Sequence, residues 1–343
     1  MPAHRSSSES EVQRARSSSA EARSRARRDK AITRIAHISD IHLAPLPWPR
    51  MRDVSVKRLT GFTNWHGGRK RRHRLDVLDL VLADIRRHRP DHIAVTGDLA
   101  NIGLPAELKA ATDWLAGLGG PELVTLVPGN HDVYVRLRRD PGIERWRAWM
   151  TGEHEPGAPP LRRTGRHSRP EQRGFPFVKR LGGIAIIGVS SAVPTPVFRA
   201  SGRLGAGQLA ALETQLARLG GEGLFRLLLI HHPPLPGQAK RGRGLDDAAD
   251  LAAVLARTGA ELVLHGHNHR QMQAFIEGPS GPIPVIGVPS ASAAPPDHVP
   301  AARYNLFDIE SIAEARWRIE MTGWTLDPAG AAIIEAERVV FGG

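Results

Sequence analysis

From residue 32 onward the chain alternates short apolar runs with amphipathic stretches, and the apolar runs stop at Gly, Pro, Asn or His. Short runs of β-branched and aliphatic residues read as strands, and apolar positions three and four apart read as helices. Strands are predicted over Ile32 to Ile38, His92 to Thr96 and Leu123 to Val127, with helices over Leu75 to Arg87 and Glu107 to Leu118 between them. Ile184 to Val189 and Leu224 to Ile230 are nearly continuous Ile, Val and Leu, the pattern of strands buried on both faces. A helix over Ala206 to Leu219 separates them, and a helix over Asp247 to Arg257 and a strand over Glu261 to Leu264 follow. Beyond Pro282 only strands are predicted, over Pro284 to Val288, Tyr304 to Ile309, Ala315 to Met321 and Ile333 to Phe341. This order gives an α/β protein in which two mixed sheets pack face to face with helices outside.

The first thirty residues break the pattern. They are Ser, Arg, Ala and Glu with almost nothing apolar, a composition that cannot bury enough surface to offset its ordering entropy. Residues 1–30 therefore read as a disordered basic tail, with their four acidic residues arguing against an organelle transit peptide. Residues 31–343 then form a single domain. The formal net charge of +12 is unevenly spread along it. Residues 50–74 hold nine Lys or Arg against one Asp, and residues 133–180 hold twelve against five. The regions rich in periodic elements are net acidic, so both basic stretches read as insertions.

The insertion 50–74 sets Val56, Leu59, Phe62 and Trp65 at roughly helical spacing among its cations. That is the pattern of a basic amphipathic helix suited to an anionic membrane surface. Gly61 and the Gly67-Gly68 pair weaken the helix, and a charged loop whose few apolar residues pack on the domain is the alternative. The cap-like insertion 133–180 carries Tyr134, Trp146 and Trp149 among arginines. Its two tryptophans either cover a substrate or anchor a helix to the core.

The chain contains no cysteine, which removes disulfides, thiolate catalysis and thiolate metal ligands. Any metal has to sit on His, Asp, Glu or Asn. No run reaches the roughly eighteen apolar residues of a spanning helix, and the N-terminus lacks the apolar core of a signal peptide. These features suit a cytoplasmic protein, with a peripheral place at the inner face of the membrane if residues 50–74 engage it.

Five predicted strand ends finish in metal-ligand residue types: Ser39-Asp40-Ile41-His42, Gly97-Asp98, Pro128-Gly129-Asn130-His131-Asp132, His231-His232-Pro233-Pro234 and His265-Gly266-His267-Asn268-His269. In α/β sheets the carboxyl ends of parallel strands lie along one edge, so groups distant in sequence converge there. Two ions about 3.5–4 Å apart need a shared anionic bridge, neutral imidazoles and a neutral oxygen donor, leaving net positive charge to bind and polarise a phosphate. A lone Asp after Gly is ordinarily a turn. Three histidines within five residues are much harder to justify by packing.

In order and spacing the five clusters resemble the calcineurin-like metallophosphoesterase superfamily, over about residues 32–310. The nearest likeness is to its bacterial cyclic-nucleotide-phosphodiesterase-like branch, through Thr-Gly-Asp, Pro-Gly-Asn-His-Asp and His-His-Pro-Pro. The resemblance implies a four-layer αββα sandwich and two divalent or trivalent ions, from Mn, Fe, Zn or Ni. It places Asp40, His42 and His269 on the first ion, Asp98 as the bridge, and Asn130, His231 and His267 on the second. It further implies a metal-bridging hydroxide as nucleophile. His131 would stabilise developing charge or protonate the leaving oxygen, and Asp132 would orient a neighbouring imidazole.

His231 is chosen over the adjacent His232 because the family ligand stands two residues before the first proline. His265 is an extra imidazole, and the long gap between His42 and Asp98 contains the basic insertion. The expected activity is phosphodiesterase, on cyclic nucleotides or similar diesters. The alternative is a membrane-associated phosphoesterase or pyrophosphatase acting on a nucleotide-linked lipid of the UDP-diacylglucosamine type. A nuclease and a non-catalytic metal-binding scaffold rank lower, and nucleic acid is not an expected partner.

Overall fold

The computed structural model describes residues 32–137, 140–152, 172–294, 300–313 and 315–342. The expected tail, residues 1–30, lies outside the described residues, as do 138–139 and 153–171 of the insertion 133–180.

The buried strand patterns assemble into two six-stranded sheets. The first takes β1 (Ile32–Ile38), β2 (His92–Val95) and β3 (Val124–Leu126) in parallel. The second is built from β4 (Phe177–Leu181), β5 (Ile184–Gly188), β6 (Phe225–Leu229), β7 (Leu262–His265), β8 (Met272–Gly278) and β9 (Gly281–Gly287). Its order is β4-β5-β6-β7-β9-β8, with parallel central strands and antiparallel edges. The chain then returns to the first sheet as β10 (Arg303–Ala313), β11 (Arg316–Leu326) and β12 (Ile333–Phe341), antiparallel beside β1.

Period-two alternation assigns each side chain to a layer. Along β5, Ile184 and Ile186 join the larger core with residues of the first sheet, whereas Ala185 and Ile187 join a second core under the outer helices. β6 divides likewise, with Leu227 and Leu229 inward and Leu228 and Ile230 outward. The second core is closed by α4 (Ala206–Gly221) and α5 (Ala248–Thr258), through Leu212, Leu216, Leu251 and Leu255. On the first sheet, α2 (Leu75–His88) buries Val77, Leu78, Val81, Leu82 and Ile85, and α3 (Pro105–Leu118) buries Leu108, Ala111 and Leu115. Each large aliphatic side chain so buried is worth about 1.5–3 kcal/mol before entropy is counted. The result is the expected αββα sandwich. Among the described residues no helix is long and apolar enough to cross a membrane.

Two strands escape the sequence pattern. β8 is an edge strand with only Ile276 buried, so it lacks the continuous apolar run of the interior strands. β4 is the opposite edge and carries Lys179 and Arg180; the Lys179 ammonium donates to the carbonyls of Pro121 and Val124.

Within 133–180, residues Gly142–Met150 form a 3-10 helix. The indole N–H of Trp146 donates to Leu108 O (3.2 Å) and that of Trp149 to Gly119 O (2.9 Å). Both rings are buried beside α3, the anchoring geometry.

The insertion 50–74 does form a helix, α1 (Val56–Asn64), but its apolar stripe does not act as one face. Trp65 is buried with Leu46, Ile102 and Leu104, with Phe62 packed against them, while Val56 is 72% and Leu59 56% exposed. The buried face of α1 instead carries Lys57 and Arg58. The Lys57 ammonium donates to the carbonyls of Tyr134 and Thr195 (both 2.8 Å), and the Arg58 guanidinium to those of Asp53, Ile102 and Gly103. Long basic side chains can bury their stems while their charged heads reach carbonyls, which charge patterning alone does not reveal.

Candidate metal centre

The five clusters meet along one edge of the sandwich. Asp40 and His42 follow β1, Asp98 follows β2, Asn130 follows β3, His231 follows β6, and His267 and His269 follow β7. A parallel bridge between Ser39 and Ser290 joins the end of β1 to the segment after β9, and Ser290 Oγ donates to Asp40 O (2.6 Å). The seven candidate ligands come together in two adjoining basins.

In the first basin His42 Nε2 lies 3.2 Å from His269 Nε2, and His269 Nε2 lies 3.0 Å from Asp40 Oδ1. In the second, Asn130 Oδ1 lies 3.1 Å from His231 Nε2 and 2.8 Å from His267 Nδ1. Asp98 Oδ2 stands between them, 3.9 Å from His42 Nε2 and 3.4 Å from His231 Nε2. Ligands about 2.1 Å from a common ion stand roughly 3–3.5 Å apart, so these spacings suit a cation in each basin.

The hydrogen bonds behind the basins fix which atoms face inward. A carbonyl oxygen only accepts, so His42 Nδ1, bonded to Ala100 O (3.0 Å), and His231 Nδ1, bonded to Thr96 O (2.7 Å), carry the protons. Their Nε2 lone pairs are thereby aimed into the basins. The outer oxygen of Asp98 accepts from the His131 N–H (2.7 Å), and that of Asp40 from the His267 N–H (2.9 Å). Asp40 Oδ1 is left fully buried with no aligned donor. An orphaned anionic oxygen among convergent lone pairs is what a cation site requires.

Burial, reinforced by the neighbouring His73 and Arg69 charges, holds His42 well below the usual imidazole range. Burial, then the His231 charge, puts His267 at about 3. Burial also lowers His231, but the Asp98 carboxylate outweighs it and raises this imidazole to about 9. A cation entering the second basin therefore displaces a proton from His231.

The backbone is unusual at the same places. Asp40 (φ 53°), His42 (46°), Asp98 (56°), His267 (72°) and His269 (52°) all adopt the left-handed region. Such conformations cost of order 1 kcal/mol or more each and cluster at functional sites. Close approach does the rest: a Cβ on Gly266 would stand 1.9 Å from Ser39 Oγ and 2.5 Å from Asp40 Oδ2.

Four residues of the clusters lie off the two basins. His131 lies beside the basins, its ring edge-on to His42 at 4.9 Å and its Nδ1 donating to Asn101 O. Asp132 does not orient an imidazole. Its carboxylate accepts from the backbone N–H groups of Asp98 (2.9 Å), Ala100 (2.9 Å) and Gly129 (2.8 Å), knitting two ligand loops together. His232 turns away, to Ser191 Oγ (2.7 Å) and Ala200 O (3.2 Å). His265 is buried behind the strand end, with Nδ1 on Gly266 O (3.1 Å).

Three residues near the site were not singled out from the sequence. Glu107 accepts from the N–H groups of Asn101, Ile102 and Leu104, holding the loop that positions His131; Pro105 followed by Glu107 is a helix-start signal that points to it. His73, from the basic insertion, packs 4.5 Å from the His42 ring with Nδ1 on Ser292 Oγ (2.9 Å). Arg69, also from the insertion, places Nη2 3.3 Å from His42 Nε2 and Nη1 3.4 Å from His131 Nε2.

Known proteins resemble this chain in sequence and in fold. The family model for calcineurin-like phosphoesterases matches residues 33–271. The chain is 30% identical over 262 residues to a probable cyclic nucleotide phosphodiesterase of Synechococcus sp., covering 75% of this chain and 80% of that protein. It is 32% identical over 195 residues to a cAMP/cGMP dual specificity phosphodiesterase of Mycobacterium tuberculosis, covering 55% and 52% of the two. Among solved structures, a dimetal phosphatase from Danio rerio shares the fold with a TM-score of 0.54 at 14% identity, over 91% of this chain and 99% of that one. The donor set and the family both call for divalent metal ions. The chain belongs to the calcineurin-like phosphoesterases and is a metal-dependent phosphoester hydrolase.

Proposed function

We propose that the protein is a dinuclear phosphodiesterase, with cyclic nucleotides the first substrates to test. The carrying observation is the pair of basins sharing Asp98 Oδ2, with the buried, unpartnered Asp40 Oδ1 in the first and the Asn130, His231 and His267 donor atoms converging in the second. Asp40, His42, His269 and Asp98 would hold one ion, and Asp98, Asn130, His231 and His267 the other. When bound, paired ions polarise a phosphoryl oxygen and bring the ionisation of water toward neutral pH. The protein's own residues do the remaining work. The Ala100 and Thr96 carbonyls lock the His42 and His231 tautomers. Asp132 and Glu107 fix the loops by accepting backbone N–H groups. His131, set beside the basins with its Nδ1 proton on Asn101 O and its Nε2 3.4 Å from Arg69 Nη1, would be the group that answers charge developing on the leaving oxygen. Diester chemistry is supported by the names of the two phosphodiesterase relatives. The test is hydrolysis by the manganese-loaded protein of cyclic AMP, cyclic GMP, bis(p-nitrophenyl) phosphate and p-nitrophenyl phosphate. Exclusive turnover of the monoester would reject the diester reading.

A second reading concerns location. Met51 is 91% exposed between the exposed Arg50 and Arg52, and Val56 and Leu59 of the same insertion are exposed too. Apolar groups flanked by cations are the combination that binds an anionic membrane surface. This supports peripheral attachment, and with it a lipid-linked phosphoester as the alternative substrate.

A further inference from the structure

The insertion 50–74 has an inner side as well as an outer one, and a single cation of the segment reaches the basins. Lys57 and Arg58 are consumed by backbone carbonyls, and Arg74 pairs with Asp76. Arg69 is different. Its guanidinium touches only the ring nitrogens of His42 and His131, and among the described residues no carboxylate stands within ion-pair distance of it. One of those nitrogens, His42 Nε2, is a lone pair that an ion in the first basin would take. Arg69 Nη2 would then face the mouth of the site with its donor unspent.

We propose that Arg69 is an anion clamp, holding a non-bridging oxygen of the substrate's phosphoryl group, and of the phosphate product, over the paired basins. The inference rests on the phosphoesterase reading above and adds to it a substrate-binding residue supplied by the insertion. Two carboxylates against two divalent ions leave the centre net positive, and a further guanidinium beside it is tolerable only with an anion between them. A planar fork of N–H donors matches the oxygens of a phosphoryl group and can bond two at once.

The clamp is also held in place before any anion arrives. Upstream, α1 is pinned by Lys57 and Arg58, and Trp65 is buried with its ring parallel to that of His73 at 6.3 Å. Helical geometry breaks at Gly68, immediately before Arg69. Downstream the chain is stitched to the segment after β9: His73 bridges Ala293, the Arg74 N–H donates to Ser292 O (2.9 Å) and the Ala294 N–H to Arg72 O (2.8 Å). Donors fixed in advance lose little freedom when the charge arrives, which is how preorganised sites bind anions.

The experiment measures inorganic phosphate binding to the manganese-loaded protein by titration calorimetry, with ion content read by elemental analysis on the same samples. Arg69→Ala should keep both ions and bind phosphate about 10- to 100-fold more weakly, the range expected when a charged hydrogen-bond partner is removed. Free guanidinium at millimolar concentration should restore part of that affinity. Phosphate affinity within about threefold of the parent, with both ions present, overturns the clamp. Arg69→Gln, which keeps most of the stem, is measured in parallel; loss of ions from both variants would make Arg69 a support of the ligand loops and also overturn it. If Arg69-dependent phosphate binding persists while no diester is turned over, the clamp stands and the diester reading falls.

Discussion

Adding one methyl group at Gly129 probes the turn that holds the shared carboxylate. A Cβ there would stand 2.1 Å from Asp98 Oδ1 and 2.5 Å from Asp98 N. Comfortable non-bonded contact begins at about 3.5 Å, so the turn or the carboxylate has to move by roughly 1 Å. That displacement falls on the His131 N–H bond to Asp98 Oδ1 (2.7 Å) and on the Asp132 bridge to Gly129 N–H (2.8 Å) and Asp98 N–H (2.9 Å). Overpacking costs about 1–3 kcal/mol, and a lost buried hydrogen bond about 1 kcal/mol more. Gly129→Ala should therefore lose about 2–4 kcal/mol in urea unfolding with chelator present. Metal binding should suffer more, because ligand distances tolerate only about 0.2 Å of error. After manganese loading and desalting, elemental analysis should find the variant depleted of both ions. Gly117→Ala is the control: its Cβ would meet nothing within 4 Å inside α3, and it should gain about 0.5–1 kcal/mol. Retention of both ions by Gly129→Ala, with stability within about 0.5 kcal/mol of the parent, would refute the reasoning.

Asp98→Ala should release both ions, because each basin borders its Oδ2; elemental analysis showing two retained ions would remove the bridging role. His131→Ala should keep its metal and lower diester turnover about 10²- to 10⁴-fold, and activity within about threefold of the parent would move the proton role to another group. Met51→Glu combined with Leu59→Glu should abolish sedimentation with phosphatidylglycerol vesicles at low salt while sparing a small soluble diester. If the unaltered protein ignores such vesicles, peripheral attachment is excluded.

The interior strands and the candidate ligands were legible in the sequence for a common reason. Ile184 to Gly188 and Phe225 to Leu229 are buried on both faces, so apolar runs mark them, and each run on the functional edge stops at Asp, Asn or His. The edges of the second sheet were not legible, because β8 buries only Ile276 and β4 is interrupted by Lys179 and Arg180. The choice between His231 and His232 depends on which ring turns inward, which adjacent identical residues cannot declare. Arg69 was hidden among nine similar cations; only the break at Gly68 and the pinned ends of the insertion single it out. Asp132 was misread because a carboxylate beside histidines suggests an imidazole partner, whereas the nearest unsatisfied donors are backbone N–H groups.

The split of the ligand set between sheets bears on how the chain folds. Asp40, His42, Asp98 and Asn130 follow strands of the first sheet, and His231, His267 and His269 follow strands of the second. Each basin borrows from both, so neither half of the polypeptide can assemble one alone. An ion can bind fully only after contacts between residues as distant as Asp40 and His269 have formed, and such long loops close late. Metal capture by these residues would then be a checkpoint at the end of folding and not a nucleus at its start. A nascent chain released before β7 would carry four of the seven donors after β1, β2 and β3 and one more after β6, yet it would complete neither basin.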